Sequence, residues 1–599
     1  MNARTVRIGC ASGFWGDSPE AARQLVETDA QYIVFDYLAE VTMGIMARAR
    51  AKNPALGYAR DFVEPVMASL LPRAAARGVK IIANAGGMNP RGCRDALLKV
   101  AAQLGLSPTI AVVDGDDLMG QLDAMRAAGL KELDRGTAFP DQPWSANAYL
   151  GALPIAAALS AGADIVITGR CVDSALVLGP LIAEFGWGPQ DYDLLAAGSL
   201  AGHVIECGCQ ATGGNFTDWR EVDGWDNMGF PLIEVAADGS FVIGKPAGTG
   251  GLVTPLSVGE QVVYEIGDPS CYMLSDVICD FTGVRLEQAG VNRVRVQGAR
   301  GRAPGDSYKV STTYQEGYRC TAMFTLCGRD AAAKAQGVGE AILKRTRRLF
   351  GERGFGDYRR TSLKLLGTEH QYGAHANAQL AKSREVVLRL DVHHDERGAL
   401  DLFAQEIAPA GLAMAPGRCG LYGGRPTVSP VVGHAAFMWK KSGVPVRIEV
   451  AGVGSAVEIA PGEPLAATPA RPRAAGAATA SAAGAPVGPR RTLRLMDLAC
   501  ARSGDKGDNV NIGVIARQPQ FVAVLRDALT AERVREYFAH LVLGGVERYE
   551  MPGMGAFNFV LAQALDGGGT RSLRNDPQGK TFAQMLLDIE LDVPAAALD

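Results

Sequence analysis

The sequence predicts an α/β protein with three folded parts: a largely parallel α/β domain over residues 1–229, a mixed α+β region over 230–460, and a small α+β domain over 491–599. Short apolar segments alternate with helical segments in the first part, which is typical of a parallel sheet covered by helices. Residues 461–490 are mostly Ala, Gly and Pro with almost no large apolar side chain, which predicts a flexible linker. Strand and helix patterns then return in a ββαββα-like order, which favours a ferredoxin-like fold for the last part.

Five apolar segments predict the strands of the parallel sheet. In chain order they are residues 6–11, 32–37, 80–85, 109–113 and 164–168. Polar residues follow each strand, and ligands bind at the carboxyl ends of the strands in open parallel sheets. We therefore expect Arg170 and Asp173 to line one pocket, with Asp36 or Asn89 nearby. The alternative is that Asn and Asp are ordinary turn residues at these positions.

A chemically dense stretch covers residues 202–219. It combines His203, Glu206, two thiols, Asn215 and Asp218 around a Gly-Gly turn. Its glycines argue against a long helix and predict a short buried strand that runs into a glycine-rich loop. We expect this stretch to join the pocket at the strand ends. The alternative is a tight turn beside a histidine of the core.

Three loops add candidate binding residues. Gly250 lies in a glycine-rich loop whose backbone N–H groups could hold a phosphate or carboxylate. Arg425 lies in a rigid Gly/Pro loop and could meet an anion. Arg502 and Lys506 lie in a charged loop between two predicted strands, and we expect one of them to reach an anionic group of the substrate when the last domain docks on the core. The alternatives are plain turns and structural or surface ion pairs.

Several classes of function lack support in the sequence. The net charge of −4 favours neither nucleic acid nor an anionic membrane. There is no G-x-G-x-x-G fingerprint and no phosphate-binding P-loop, so NAD and ATP are unsupported. The eleven cysteines show no disulfide framework, which indicates reduced thiols. With no signal-peptide pattern near Met1 and no apolar run that could span a bilayer, we expect a cytoplasmic protein, and we expect it to form a homo-oligomer.

The motifs together resemble a known family. They are Gly86-Gly87-Met88-Asn89-Pro90, Gly169-Arg170-Cys171-Val172-Asp173, the stretch 203–219, Gly248-Thr249-Gly250-Gly251, Arg425-Pro426 with Ser429-Pro430, Arg502-Ser503-Gly504-Asp505-Lys506-Gly507, and Asp576-Pro577-Gln578-Gly579-Lys580. On these motifs the chain resembles the acyclic terpene utilisation AtuA family over residues 1–460, and the ferredoxin-fold domain of that family over 491–599. The resemblance implies degradation of branched, terpene-derived acids as acyl-CoA thioesters, and it brings no agreed catalytic residues.

The reaction that we favour is lyase- or hydratase-type chemistry on a branched 3-hydroxyacyl-CoA. Such chemistry needs a general base and a group that stabilises an enolate or alkoxide. We expect His203 or Asp173 to be the base, Glu206 to orient it, and Arg170 to clamp a carboxylate or the thioester oxygen. Cys207 is a candidate nucleophile, with an inert buried thiol as the alternative.

Two other functions are also consistent with the sequence. A metal-dependent hydrolase or lyase would use His203, Glu206, Asp173 and Asp36 as ligands for Mg, Mn or Zn. A non-catalytic scaffold would bind the enzymes of the pathway instead. For the enzyme, coenzyme A enters as part of the substrate, and the predicted substrate-binding residues are Asp36, Asn89, Asn215, Asp218, Gly250, Arg425, Arg502 and Lys506.

Overall fold

The computed structural model describes residues 4–464 and 489–598. Most of the predicted linker, residues 465–488, lies outside this range. Within the described part of the chain, the fold contains one large mixed sheet, a second sheet built on one long strand, and a separate small domain at the C-terminal end. The α/β fold class predicted from the sequence is confirmed.

The large sheet has eleven strands in the described residues, and its centre is parallel. In spatial order its strands are Arg285–Gly290, Arg293–Gln297, Phe241–Gly244, Leu232–Ala236, Thr5–Cys10, Tyr32–Phe35, Lys80–Ala83, Ile165–Thr168, Ile110–Asp114, Arg447–Val450 and Val453–Ala456. The five strands from Thr5–Cys10 to Ile110–Asp114 are mutually parallel, and they are the five predicted strands. The outer strands pair antiparallel.

The central strands are apolar throughout because helices cover both faces of the sheet. Alternate residues of one strand enter different cores: Val34 packs in one cluster, and Ile33 and Phe35 pack in the other. The helices are Glu20–Val26, Glu40–Lys52, Ala68–Arg77, Pro90–Gln103, Leu122–Ala127, Leu153–Ser160, Ala175–Phe185 and Tyr192–Ile205, with a π-helical turn at Phe62–Met67. Within residues 4–464 and 489–598, none of the helices combines the length and apolar character needed to cross a membrane.

The middle region is organised by the 21-residue strand Ser307–Cys327. Its sheet also contains Pro143–Ala148, Arg360–Leu366, Glu385–His394, Arg418–Cys419 and Ser429–Lys440. The helices Ala331–Glu352 and Arg397–Ile407 contribute to its core, and Ala410–Ala413 follows them. The helix Pro255–Val262 and a three-stranded sheet of Tyr272–Met273, Ile278–Asp280 and Arg300–Arg302 precede this long strand in the chain.

The C-terminal domain has an antiparallel sheet of four strands among the described residues, with short helices packed on it. The strands, in spatial order, are Ala499–Lys506, Asn509–Ala516, Ala556–Leu561 and Val546–Met551, and Arg490–Arg494 pairs separately with Glu590–Pro594. The helices are Leu495–Leu498, Phe521–Ala528, Ala531–Tyr537 and Phe582–Leu586. This confirms the ferredoxin-like α+β class predicted for the end of the chain.

Two local predictions were wrong. The stretch 202–219 does not begin with a strand, because His203 lies on the helix Tyr192–Ile205 and a 3₁₀ helix follows at Gly208–Thr212. The glycine at 202 serves close packing: a Cβ there would lie 2.7 Å from the Cα of Ser174. The charged segment that begins at Arg502 is not a long loop either, because the strand Ala499–Lys506 runs through it.

Candidate functional site

The candidate site lies where the carboxyl ends of the parallel strands meet the C-terminal domain. Asp36 follows the strand Tyr32–Phe35, and Arg170 and Asp173 follow the strand Ile165–Thr168. Asp36 lies within electrostatic range of both Arg170 and Asp173. Lys506, from the C-terminal domain, interacts with Asp173 across the boundary between the domains.

Asp36 is a buried acid in an unfavourable setting for charge. Its carboxylate accepts a hydrogen bond from Asn84 Nδ2 at 2.6 Å. Burial and the negative charge of Asp173 raise the pKa of Asp36 well above its usual range, although Arg170 opposes this. Asp36 can therefore carry a proton at a pH where an exposed aspartate would not.

Arg170 is almost fully buried and is held rigidly. Its Nη1 donates to Asp173 Oδ1 at 2.5 Å and to the carbonyl oxygen of Cys171 at 2.7 Å. The guanidinium stacks 4.0 Å from the centre of the Tyr149 ring, and the backbone N–H donates to Asp116 Oδ2 at 2.8 Å. The buried Nε has no hydrogen-bond partner among the described residues, so it can serve an acceptor that the protein does not supply.

Tyr149 and Lys309 were not predicted from the sequence. The Tyr149 hydroxyl donates to Glu40 Oε1 at 2.7 Å, and Lys309 Nζ lies 3.6 Å from the same oxygen. Burial alone would raise the pKa of Glu40, but Lys309, His434 and Arg170 together hold it well below its usual range. Glu40 is therefore an ionised anchor. No local sequence pattern indicates that Tyr149 belongs to the site. It follows the strand Pro143–Ala148 of the other sheet, and only the packing of the two sheets brings it to Arg170.

His203 and Glu206 form a pair at the end of the helix Tyr192–Ile205. The spacing of three residues puts both on one helix face, and His203 Nδ1 lies 3.0 Å from Glu206 Oε1. The other ring nitrogen, Nε2, lies 3.2 Å from the carbonyl oxygen of Val262. His203 is 2% exposed, whereas the Glu206 side chain is 16% exposed. Burial raises the pKa of Glu206, and the charge of His203 opposes the shift.

Cys207, the candidate nucleophile, lies next to this pair. Burial and the negative charges of Glu206 and Glu265 raise the pKa of the Cys207 thiol well above its usual range. A nucleophilic cysteine needs the thiolate, which this environment disfavours. The apolar and negatively charged surroundings therefore favour the alternative of an inert thiol.

The C-terminal domain adds a second group of charges. Lys506 Nζ lies 5.6 Å from the centre of the Tyr272 ring. Lys506 retains exposed surface. Partial loss of hydration beside the cluster would lower its pKa, but Tyr272, Glu265 and Glu206 raise that pKa above its usual range. Lys580 Nζ donates to Glu265 at 2.7 Å. Lys506 and Lys580 are therefore held as cations.

Three predicted residues are used elsewhere in the fold. Asn89 caps the helix Pro90–Gln103 by accepting from the N–H of Gly92 at 3.0 Å. Asn215 lies in a left-handed turn. Asp218 forms a bidentate ion pair with Arg517, whose Nη1 and Nη2 donate to the two carboxylate oxygens at 2.5 and 2.7 Å. Asp218 and Arg517 line a separate cleft of about 440 Å³ between the domains. The predicted convergence of Asn89 and Asn215 on the strand ends is not seen in their contacts.

Gly250, Arg425 and Arg502 likewise have other surroundings. Gly250 packs so closely on Gly224 that a Cβ would lie 2.0 Å from its carbonyl oxygen, so the loop is packed against backbone there. Arg425 lies exposed in its loop. Arg502 is buried in an ion pair with Glu260, 2.9 Å from Nη2 to Oε2. These partners give Arg502 a structural role, and its contact with substrate stays a prediction.

The ligand set predicted for a metal does not assemble. Among residues 4–464 and 489–598, no three or more His, Cys, Asp and Glu side chains form a group that could hold a metal ion. His203 illustrates the reason, since both of its ring nitrogens already face acceptors of the protein. The residues present thus do not fit the metal-dependent alternative.

Comparison with known proteins identifies two matching family models. The model described as acyclic terpene utilisation family protein AtuA matches residues 6–450. The model described as AtuA ferredoxin-like domain matches residues 493–592. Neither the curated proteins nor the solved structures gave a match.

Proposed function

Because this chain belongs to the acyclic terpene utilisation AtuA family, we propose that it is an enzyme that acts on a branched acyl-CoA thioester during acyclic terpene and branched-chain acid catabolism. The reaction is lyase- or hydratase-type chemistry on a branched 3-hydroxyacyl-CoA. One observation carries the proposal: two cations, Arg170 and Lys506, come from different domains and face the acids Asp36, Asp173 and Glu206.

The two cations suit the charge that this chemistry develops. Removing a proton beside a thioester carbonyl, or from a 3-hydroxyl group, leaves a negative oxygen in the transition state. Preorganised positive groups that face such an oxygen lower the barrier. Arg170 is fixed by Asp173 and by the ring of Tyr149, and Lys506 keeps its charge because acids and Tyr272 surround it.

The acids suit proton transfer. Glu206 and Asp36 both have a raised pKa because of burial. A carboxyl group whose pKa approaches the working pH exchanges protons more effectively than an ordinary surface carboxylate. The Asp173 side chain is 36% exposed, so solvent and substrate can approach the cluster from its side.

The proposal is tested with purified full-length protein and a panel of branched and straight-chain 3-hydroxyacyl-CoA thioesters. We expect turnover of a branched thioester, detected by mass spectrometry of the acyl-CoA products. Lys506→Ala should lower kcat/KM about 10²–10³-fold, the range for loss of one oxyanion donor. Because salt screens charges, the loss should be larger at low than at high ionic strength.

The control is Lys52→Ala, which removes an exposed lysine at the end of the helix Glu40–Lys52 and should leave turnover unchanged. Turnover that requires added Mg, Mn or Zn would favour the metal-dependent alternative. Loss of pathway flux in cells without turnover by the pure protein would favour the scaffold. We also propose that the protein is cytoplasmic and that it forms a homo-oligomer. Light scattering of the purified protein would measure the mass of the oligomer.

A further inference from the structure

The His203–Glu206 pair has an arrangement that decides which of its members can meet a substrate. Val262 O can only accept a hydrogen bond, so the contact of 3.2 Å requires a hydrogen on His203 Nε2. The lone pair or second hydrogen of the ring then lies on Nδ1, which faces Glu206 Oε1 at 3.0 Å. Both ring nitrogens are therefore occupied within the protein.

The imidazole ring is closely packed, which disfavours a rotation that would free a nitrogen. It is 2% exposed and packs against two neighbouring aromatic rings, with centre-to-centre distances of 6.3 Å to Phe281, which is stacked, and 5.9 Å to Tyr272. Gln261 fixes the helix end by donating its Nε2 hydrogen to the carbonyl oxygen of His203 at 3.1 Å. Glu206 differs, because its side chain retains exposed surface and lies within electrostatic range of Lys506 and Asp173.

From this geometry we propose that Glu206 is the catalytic residue that exchanges a proton with the substrate, and that His203 is a positioning residue that holds one proton against Glu206 Oε1. The inference rests on the proposed function and reverses the roles that the sequence predicts for the two residues.

One proton moves between the substrate and the His203–Glu206 pair. In the resting pair one proton lies between Nδ1 and Oε1, so the pair has no net charge. When Oε2 of Glu206 takes a proton from the substrate, the pair carries one positive charge, as an imidazolium beside a neutral carboxyl group. The substrate then carries one negative charge, as an enolate or alkoxide, which faces Lys506 and Arg170. Return of the proton from Oε2 restores the pair.

The charged and titratable groups around Glu206 belong to several elements. They are Cys10, Asp36, Asp173, His203, Cys207, Tyr272 and Lys506. Burial raises the pKa of Glu206, and the charge of His203 is the main effect that opposes this rise. Removing the charge of His203 should therefore raise the pKa of Glu206 further.

The kinetic test compares Glu206→Gln, Glu206→Asp and His203→Asn with the branched 3-hydroxyacyl-CoA that gives turnover. We expect Glu206→Gln to lose at least 10³-fold in kcat and Glu206→Asp to recover part of the loss. His203→Asn should lose less, about 10- to 10²-fold, and its acid limb of kcat/KM should move to higher pH, since Glu206 must be ionised to act as base. The control Glu20→Gln breaks an exposed ion pair of the same spacing, Arg23–Glu20, and should change neither value.

Kinetics of the variants and NMR of His203 test the assignment independently. Retained activity in Glu206→Gln, or loss of activity in His203→Asn at every pH without movement of the limb, overturns the assignment. A second measurement needs no substrate: the ¹⁵N NMR shifts of His203, assigned with His203→Asn, should show a protonated Nε2. A bare Nε2 beside a protonated Nδ1 overturns the proposed pair. If no thioester is turned over, the proposed function fails and the NMR result alone decides the pair.

Discussion

Arg170 shows how single contacts prepare the site before a substrate arrives. Its backbone N–H is anchored by Asp116, its Nη1 by Asp173, and its flat face by Tyr149. A guanidinium restrained in this way loses little conformational entropy when it binds an oxygen. Asp116 therefore acts on the site through the backbone of Arg170.

Asp116 gives a prediction about pH and stability. It is buried, and burial raises its pKa to about 7 even though Asn147 and the Arg170 N–H oppose the shift. The unfolded chain would release this proton near pH 4. Between about pH 4 and 7 the folded state binds the proton and the unfolded state does not, so this residue's contribution to the unfolding free energy falls as pH rises.

An Asp116→Asn variant cannot ionise, so it should lack this loss, which is at most about 4 kcal/mol for a shift of about three units. We expect the melting temperature of the variant relative to wild type to be more favourable at pH 8 than at pH 5. Thermal melts at both pH values measure this. An equal difference at both values would show that Asp116 does not titrate in this window.

At the scale of elements, the helix Tyr192–Ile205 places the pair His203 and Glu206 because it can approach its neighbour closely. Gly202 faces Ser174, and a Cβ there would lie 2.7 Å from the Ser174 Cα. Ser174 directly precedes the helix Ala175–Phe185 and follows Asp173. The close contact thus sets the distance between the Arg170–Asp173 segment and the His203–Glu206 pair.

Gly202→Ala should disturb this contact and so test the helix placement. The added methyl group meets backbone, so we expect a loss of about 1–3 kcal/mol in stability together with a fall in turnover. The matched control is Gly337→Ala on the helix Ala331–Glu352, where nothing lies within 4 Å of the added Cβ. That change should stabilise the helix by up to about 1 kcal/mol. Denaturant unfolding compares the two, and similar effects would contradict the close-packing explanation.

At the scale of the whole molecule, the C-terminal domain is joined to the core by a buried polar and apolar interface. Arg502 Nε and Nη2 donate to Glu260 at 3.1 and 2.9 Å, and Nη2 also donates to the Gly214 carbonyl oxygen at 3.0 Å. Ile515 and Met551 share one apolar cluster with core residues. The domain therefore belongs to the same packed unit that carries the site.

Arg502→Met should destabilise this interface strongly. It would leave the Glu260 carboxylate, which is fully buried, without its cation, and such a change costs about 3–5 kcal/mol. Adding Glu260→Gln in the same chain should recover much of the loss, because the remaining group is neutral. Thermal unfolding of both variants measures this. A wild-type melting curve for Arg502→Met would contradict the buried ion pair.

The predicted linker is expected to be the part of the chain most open to proteases. Its composition predicts that limited proteolysis cuts first within residues 461–490. Because the interface is buried, we expect the two fragments to stay together on gel filtration and to retain turnover. Residues 1–460 expressed alone should be inactive, since Lys506 is missing, and adding 489–599 should restore turnover. A dominant early cut within 6–172, or full activity of 1–460 alone, would contradict this.

The sequence by itself determined the parallel centre of the large sheet and the polar strand ends. Apolar runs of four to six residues must be buried on both faces, and the parallel order brings their carboxyl ends to one edge. Asp36, Arg170 and Asp173 could therefore be predicted to meet. The local signal was also sufficient for the ferredoxin-like end of the chain.

Only the tertiary structure decided the rest of the site. The glycines near His203 disfavour a helix locally, but close packing on Ser174 stabilises one there. The contact of Tyr149 with Glu40, and that of Lys506 with Tyr272, join residues far apart in sequence. Arg502 and Lys506 looked equivalent in sequence, yet one lies in a buried ion pair and the other faces the acids of the cluster. The reason is physical: burial and charge at a side chain depend on what packs against it, and periodicity along the chain does not specify those partners.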